Sequence, residues 1–193
     1  MAEVLLFHHV QGLTDGVRAF ADDLRAGGHT VHTPDLFAGH TFDSIDEGFA
    51  YLKTLAEGED DRRLDEAVRP LPDTLVYAGF SYGVMAAQRL AQTRPGARGA
   101  LLYEACIPIS GEWAFGAWPD AVRVQVHGAG GDEFFQEDLP AAKELVEAQP
   151  DLAELFVYPG ERHLFADRSL PSYDADAAAL LLQRSLEFLD RVE

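Results

Sequence analysis

Short apolar runs alternate with stretches of helical spacing along the whole chain. The apolar runs have the length and composition of buried parallel strands, and they cover residues 3–8, 29–33, 74–78, 99–103, 122–127 and 155–158. Helical patterns are centred on residues 17–24 and cover residues 44–56, 64–68, 84–93, 139–148 and 174–192. This alternation predicts an α/β fold with a mostly parallel, doubly wound sheet and helices on both faces.

The length of the chain fits one domain. With 193 residues, of which 47% are hydrophobic, the chain is long enough to bury one core and too short for two domains of ordinary size. Neither an internal repeat nor a linker rich in Pro, Ser or Gly interrupts it. We therefore predict a single domain over residues 1–193.

The charge of the chain disfavours several classes of partner. The 33 acidic residues outnumber the 15 Lys and Arg residues, and the formal net charge of -18 opposes binding to nucleic acid or to an anionic membrane surface. The apolar run at residues 4–7 is too short for a signal-peptide core or a membrane span. We expect a cytoplasmic monomer or homodimer whose partner is a small molecule.

A G-x-S-x-G pentapeptide, residues 79–83, lies between an apolar run and a helical stretch of small residues. At a junction of strand and helix this pattern is typical of a nucleophile elbow, here centred on Ser81. The tight turn strains the central residue, and the two glycines let strand and helix pass close together. Because the pentapeptide also occurs by chance, its interpretation depends on the other strand ends.

Two later loops hold the groups that a serine nucleophile needs. A serine hydroxyl requires an imidazole to accept its proton and an acid to orient that imidazole. Asp132 follows the fifth apolar run, with Glu133 beside it as a rival acid, and His163 follows the sixth. The order Ser81, Asp132, His163 is the order in which α/β-hydrolases carry their triad. We predict Ser81 as nucleophile, His163 as base and Asp132 as orienting acid.

In four segments, taken in chain order, the sequence resembles the dienelactone hydrolase family of α/β-hydrolases. These segments are residues 34–37, 79–83, 130–132 and 158–165, and the likeness extends over nearly the whole chain. The resemblance implies a compact α/β-hydrolase fold without a cap domain. It also implies hydrolysis of small esters or lactones through an acyl-enzyme.

The chain departs from the family pattern at residues that bear on chemistry. The family has cysteine where this chain has Ser81, and the change favours ordinary esterase chemistry. The family has an acid in the first loop, where this chain has His9. It also has a substrate-binding arginine shortly after the histidine, where this chain has Asp167, with Arg168 one place later. These changes disfavour a dienelactone as the substrate.

The oxyanion of the tetrahedral intermediate needs hydrogen-bond donors. Backbone N–H groups after the nucleophile and after the first strand usually provide them. The donors here are predicted to be the N–H of Tyr82 and, by the resemblance, the N–H of Val10. His9, at the mouth of the same site, is predicted either to contact the substrate or to make a structural hydrogen bond.

The segment of residues 104–120 is the predicted source of specificity. It is long for a loop in a compact domain and contains Trp113, Phe115 and Trp118. Its aromatic rings form either a pocket wall that contacts the substrate or a packed surface loop. Cys106, the single cysteine, excludes an intrachain disulfide and is expected to be a small buried residue.

No metal or cofactor is predicted. His8 and His9 are adjacent on a strand, so their side chains point to opposite faces and do not easily bind one ion.

Two other functions stay open beside serine hydrolysis. The first is a non-catalytic module that binds small molecules, and the second is acyl transfer or thioester cleavage by the same triad.

Overall fold

Six parallel strands form one sheet in a computed structural model that describes residues 1–192. The strands are β1 (Glu3–Phe7), β2 (Thr30–His32), β3 (Val76–Phe80), β4 (Gly99–Tyr103), β5 (Arg123–Ala129) and β6 (Ala153–Tyr158). Their order across the sheet is β2-β1-β3-β4-β5-β6, and each neighbouring pair is parallel. The predicted doubly wound α/β sheet is confirmed.

Helices cover both faces of this sheet. They are α1 (Asp15–Ala26), α2 (Ile45–Leu52), α3 (Glu59–Val68), α4 (Tyr82–Thr93), α5 (Glu133–Ala148) and α6 (Ala175–Arg191). Helices α1 and α6 pack on one face, and α3, α4 and α5 pack on the other. Within residues 1–192 no helix combines the length and the apolar character needed to cross a membrane.

The central strands are apolar on both sides because both sides are covered. In β1, Val4 and Leu6 join the core under α1 and α6, whereas Leu5 and Phe7 join the core under α3, α4 and α5. All four side chains are fully buried. Alternate residues of a strand point to opposite faces, so a strand between two helical layers becomes a continuous hydrophobic run.

Several element boundaries differ from those predicted, and two of these differences lie beside the predicted site. Strand β3 covers Val76–Phe80 rather than residues 74–78, because Phe80 still pairs with Tyr103 of β4. Helix α5 begins at Glu133 rather than at residue 139. The Asp132 side chain accepts a hydrogen bond from the Phe134 N–H and caps that helix.

The topology brings four loops to one edge of the sheet. Ser81 follows β3, Glu104 follows β4, Asp132 lies after β5, and His163 lies after β6. Because these strands are parallel and adjacent, their carboxyl ends meet at the same edge. The helices of residues 1–192 leave this edge without a cap domain, as predicted.

Candidate active site

Ser81 occupies a strained turn between β3 and α4. Its φ of 47° and ψ of -113° lie outside the regions that non-glycine residues prefer, and its N–H donates to the Tyr103 carbonyl over 2.7 Å. A Cβ on Gly79 would lie 2.4 Å from the Gly83 oxygen, and one on Gly83 would lie 2.6 Å from the His8 oxygen. Only glycine fits at either position, so the pentapeptide has the geometry of the predicted elbow.

A chain of two hydrogen bonds connects three strand ends. His163 Nε2 lies 2.8 Å from Ser81 Oγ, and His163 Nδ1 lies 2.6 Å from Asp132 Oδ2. The other Asp132 oxygen accepts the Phe134 N–H, and the side chain is buried. Glu133, the rival acid, is exposed. With Nδ1–H donating to the carboxylate, Nε2 is free to accept the Ser81 proton.

Nearby carboxylates favour the charged form of His163. Burial lowers its pKa, but the hydrogen bond to Asp132 and the charges of Glu104, Asp132 and Asp138 outweigh burial and raise the pKa above its usual value. Proton transfer from Ser81 creates an imidazolium at this position. The surroundings therefore stabilise the ion that the chemistry would form.

Glu104 belongs to the same edge, whereas the sequence pattern predicts it only as the first residue of the 104–120 segment. It follows β4 directly, its φ of 63° is left-handed, and its side chain is only 1% exposed. Its Oε1 accepts the Phe165 N–H over 2.9 Å, two residues beyond His163. One feature of the sequence points to this location: Glu104 directly follows the apolar run that comes next in the chain after the run preceding Ser81.

The two predicted oxyanion donors have free N–H groups. Within residues 1–192, neither the Val10 N–H nor the Tyr82 N–H has a protein acceptor. Tyr82 is the first residue of α4, where a helix leaves its N–H groups unpaired and carries partial positive charge. Both groups are therefore available to a ligand oxygen.

The aromatic residues of the 104–120 segment have three different environments. Trp113 is 78% exposed, whereas Trp118 is buried in the core and its Nε1–H donates to the Val122 carbonyl. Burial of its ring favours core packing over a substrate contact for Trp118, and Trp113 is not among the residues that line the cavity beside the elbow. Phe115 is half-buried and lines a cavity.

That cavity lies next to the elbow and has a volume of about 130 Å³. Tyr82 and Gly83, which follow Ser81 in the chain, form part of its wall. Its other apolar lining residues are Leu36, Leu64, Met85, Ala86 and Phe115. Asp60, Asp61 and Arg89 complete the lining, so a small apolar space has a charged border.

Cys106 is buried, and its thiol is in an unreactive environment. Burial and the charges of Asp138 and Glu144 raise the pKa of its thiol to about 12, so the reactive thiolate is disfavoured at neutral pH. Ser81 is the only serine, threonine or cysteine of residues 1–192 that has a positive φ.

Comparison with known proteins identifies the family. A model of the dienelactone hydrolase family matches residues 1–193. The chain belongs to the dienelactone hydrolase family. No curated protein sequence matches the chain.

Solved structures with the same fold include several hydrolases. A dienelactone hydrolase-like promiscuous phosphotriesterase from metagenomic libraries is 18% identical, with a TM-score of 0.76, and the match covers 100% of this chain and 87% of that one. Carboxyl esterase 2 of Tuber melanosporum is 13% identical, with a TM-score of 0.67 and coverages of 100% and 79%. A thermostable esterase of Pseudomonas putida is 19% identical, with a TM-score of 0.65 and coverages of 100% and 75%. At these identities the similarity shows the α/β-hydrolase fold.

Two positions at which this dienelactone hydrolase family member departs from the family pattern are in contact. The Gln11 N–H donates to His9 Nδ1 over 3.2 Å, so the ring proton is on Nε2, which donates to Asp167 Oδ2 over 2.8 Å. Thr14 and Ser169 also donate to the Asp167 carboxylate. His9 is fully buried and both of its nitrogens are engaged. This geometry favours the structural hydrogen bond over a substrate contact.

Proposed function

We propose that this member of the dienelactone hydrolase family is a serine hydrolase that cleaves small carboxylic esters or lactones through an acyl-enzyme. The observation that supports the proposal most directly is the pair of hydrogen bonds from His163 to Ser81 Oγ and Asp132 Oδ2, 2.8 and 2.6 Å long. Three residues from separate strand ends meet in the order and geometry that nucleophilic acyl transfer requires.

In the first half of the reaction, His163 Nε2 takes the Ser81 proton as Oγ attacks the ester carbonyl. The N–H groups of Tyr82 and Val10 bind the oxyanion that forms. Asp132 holds the imidazolium in place. When the tetrahedral intermediate collapses, the alkoxide leaves with the proton from His163, and the acyl group stays on Ser81.

The second half repeats these steps with water. His163 removes a proton from the water molecule that attacks the acyl-enzyme, and the same N–H groups bind the second oxyanion. Collapse releases the carboxylic acid and returns the proton to Ser81. A lactone follows the same course, except that its alcohol and acid remain joined in one product.

The cavity beside the elbow favours small, uncharged substrates. The adjacent cavity of about 130 Å³ is mostly apolar and has room for a short acyl or alcohol chain. Asp60 and Asp61 border it, and Asp167 stands where the family pattern has its substrate-binding arginine. A substrate carboxylate in this cavity therefore meets the charges of Asp60 and Asp61, and Arg89 at the same border is already paired with Asp61 over 2.7 Å.

The test uses a short p-nitrophenyl ester and the Ser81→Ala variant. We expect the variant to keep its circular dichroism spectrum and to lose about 10⁴-fold or more in kcat, as removal of a triad serine does elsewhere. Ser110→Ala is the matched control, since Ser110 is exposed, its hydroxyl donates to Glu144 and it does not line the cavity beside the elbow, so the variant should keep full activity. Retained turnover in Ser81→Ala would contradict the proposal.

A fluorophosphonate probe separates hydrolysis from simple binding. A serine hydrolase should be labelled at Ser81, and mass spectrometry of the digested protein locates the adduct. A non-catalytic binding module would leave Ser81 unmodified. Thioester cleavage and acyl transfer use the same acyl-enzyme, so labelling does not separate them from ester hydrolysis. A panel of esters, lactones and thioesters identifies the preferred acyl donor. Repeating it with added alcohols identifies the preferred acceptor.

A further inference from the structure

We infer that Glu104 is a positioning residue for His163: it fixes the backbone behind the histidine and supplies a second carboxylate charge to the imidazolium. This inference rests on the proposed function, in which His163 carries the proton. It extends the site from three strand ends to four.

The position of Glu104 in the sheet places it among the reacting groups. Strand β4 lies between the strand that carries Ser81 and the strand that leads to Asp132. The Ser81 N–H donates to the carbonyl of Tyr103, the residue before Glu104, and the Glu104 N–H donates to the His127 carbonyl over 2.6 Å. These bonds extend the parallel ladder to the edge where His163 lies.

One carboxylate oxygen of Glu104 holds the histidine loop. Oε1 accepts the Phe165 N–H over 2.9 Å. Leu164, between this anchor and His163, has a left-handed φ of 60°. Two non-glycine residues, Glu104 and Leu164, thus adopt unfavourable backbone conformations on either side of one hydrogen bond. Such strain persists only where surrounding contacts enforce it, and it concentrates at functional sites.

The other oxygen, Oε2, is buried without a hydrogen-bond partner among residues 1–192. A buried carboxylate oxygen in that state is costly unless an opposite charge lies nearby. The charges that act on Glu104 are those of His163, which favours its ionised form, and of Asp132, which opposes it. Transfer of the serine proton to His163 provides the missing positive charge.

The ionisation of Glu104 falls in the working range of a neutral-pH hydrolase. Burial raises its pKa to about 7, although the His163 charge and the N–H groups of Phe165 and Leu164 act in the opposite direction. In turn, the Glu104 charge raises the pKa of His163. The two groups therefore titrate as a coupled pair, in which each proton on His163 favours the loss of one from Glu104.

The test compares wild-type protein with Glu104→Gln. Glutamine keeps an oxygen for the Phe165 N–H and removes only the charge. We expect the His163 pKa, followed by NMR of its ring Hε1 proton, to be lower in the variant. Because only neutral His163 accepts a proton, the acid limb of kcat/KM against pH should move to lower pH. The plateau of kcat/KM should fall about tenfold as the imidazolium loses stabilisation.

Glu112→Gln is the matched control, because Glu112 is exposed on the same segment and should leave both the His163 titration and the pH profile unchanged. Glu104→Asp retains the charge and should restore part of the His163 pKa. If Glu104→Gln does not fold, Glu104→Asp gives the second test, since moving the carboxylate away from His163 should lower that pKa in part.

A folded Glu104→Gln variant with an unchanged His163 titration and pH profile would overturn the inference. A Glu104 that only held the loop in place would leave both measurements unchanged. The NMR titration needs no substrate. If wild-type protein neither cleaves esters nor reacts at Ser81, the proposed function fails, while a shift of the His163 titration in Glu104→Gln still supports the contact.

Discussion

His9 Nε2 donates a hydrogen bond of 2.8 Å to Asp167 Oδ2, and both side chains are buried. By the resemblance to the family, these positions are expected to hold an acid and a substrate-binding arginine, whereas this chain has His9 and Asp167. Arg168, next to Asp167, pairs at the surface with Asp23 instead. The contact between His9 and Asp167 therefore joins the loop after β1 to the loop after β6.

Loss of the Asp167 carboxylate should destabilise the fold. Burial raises its pKa, but hydrogen bonds from His9, Ser169 and Thr14 together lower that pKa to about 2, so the carboxylate is ionised at neutral pH. Asp167→Ala leaves the buried donors of His9 and Thr14 unpaired, and we expect the free energy of unfolding at pH 7 to fall by roughly 3 kcal/mol. Urea denaturation measures the change. Asp120→Ala, at an exposed position, should change it by less than about 0.5 kcal/mol.

Two buried histidines should make the protein sensitive to acid. Burial lowers the pKa of His127 to about 3 and that of His8 to about 4, against 6.5 for an ordinary histidine. Below pH 6.5 the unfolded chain binds protons at these residues that the folded chain does not. Stability is therefore full above pH 6.5 and is lost as pH falls towards 4.

Urea titrations between pH 7.5 and pH 5 measure this acid sensitivity. Each buried histidine contributes a slope of up to about 1.4 kcal/mol per pH unit in the free energy of unfolding. His127→Gln retains hydrogen-bonding capacity towards Tyr158 and should show a shallower slope. An equal slope in His127→Gln and wild type would contradict the assignment of a neutral buried ring.

Three aromatic substitutions should have three different effects. Phe115→Ala removes part of the cavity wall, so we expect KM for p-nitrophenyl butyrate to rise severalfold while the melting temperature changes little. Trp118→Ala removes a buried ring and should cost about 3–5 kcal/mol of stability. Trp113→Ala, at an exposed ring, is the control and should affect neither quantity. Equal effects of Phe115→Ala and Trp113→Ala would argue against the cavity as a substrate site.

Substrate charge should matter at low ionic strength. The cavity is bordered by Asp60, which has no ion-pair partner in residues 1–192, and by Asp61, which pairs with Arg89 over 2.7 Å. The kcat/KM for p-nitrophenyl hemisuccinate should be about fivefold below that for p-nitrophenyl butyrate, which corresponds to ~1 kcal/mol of repulsion. Added salt should reduce the ratio, and so should Asp60→Asn. A ratio that is independent of salt would exclude an electrostatic cause.

Gly83→Ala should disrupt the elbow. The added Cβ would lie 2.6 Å from the His8 oxygen and 2.7 Å from the Phe7 oxygen, and backbone atoms of a buried strand cannot easily move. We expect a loss of several kcal/mol in stability, measured by thermal denaturation. Gly130→Ala is the comparison, since its nearest neighbour is a Val157 side-chain carbon at 3.1 Å, which can adjust.

Contacts between distant residues were harder to predict than local patterns. Glu104 was assigned to the specificity segment because nothing near it in sequence shows that its carboxyl meets the Phe165 N–H, 61 positions away. For Trp118 the sequence leaves a pocket wall and core packing open, because aromatic residues in a long loop suit either. Strand β3 was placed two residues early because the pentapeptide glycine and Phe80 were assigned to the turn, although they pair with β4.

The sequence by itself determined the alternating elements, the glycines of the elbow and the order of Ser81, Asp132 and His163. Each of these depends on periodicity, backbone freedom or chain order, which are properties of neighbouring residues. Only the tertiary structure decided which side chains meet at the sheet edge: Asp132 rather than Glu133 at His163, His9 against Asp167, and Glu104 behind the histidine loop. Those contacts depend on how parallel strands stack and on which polar groups burial forces to pair.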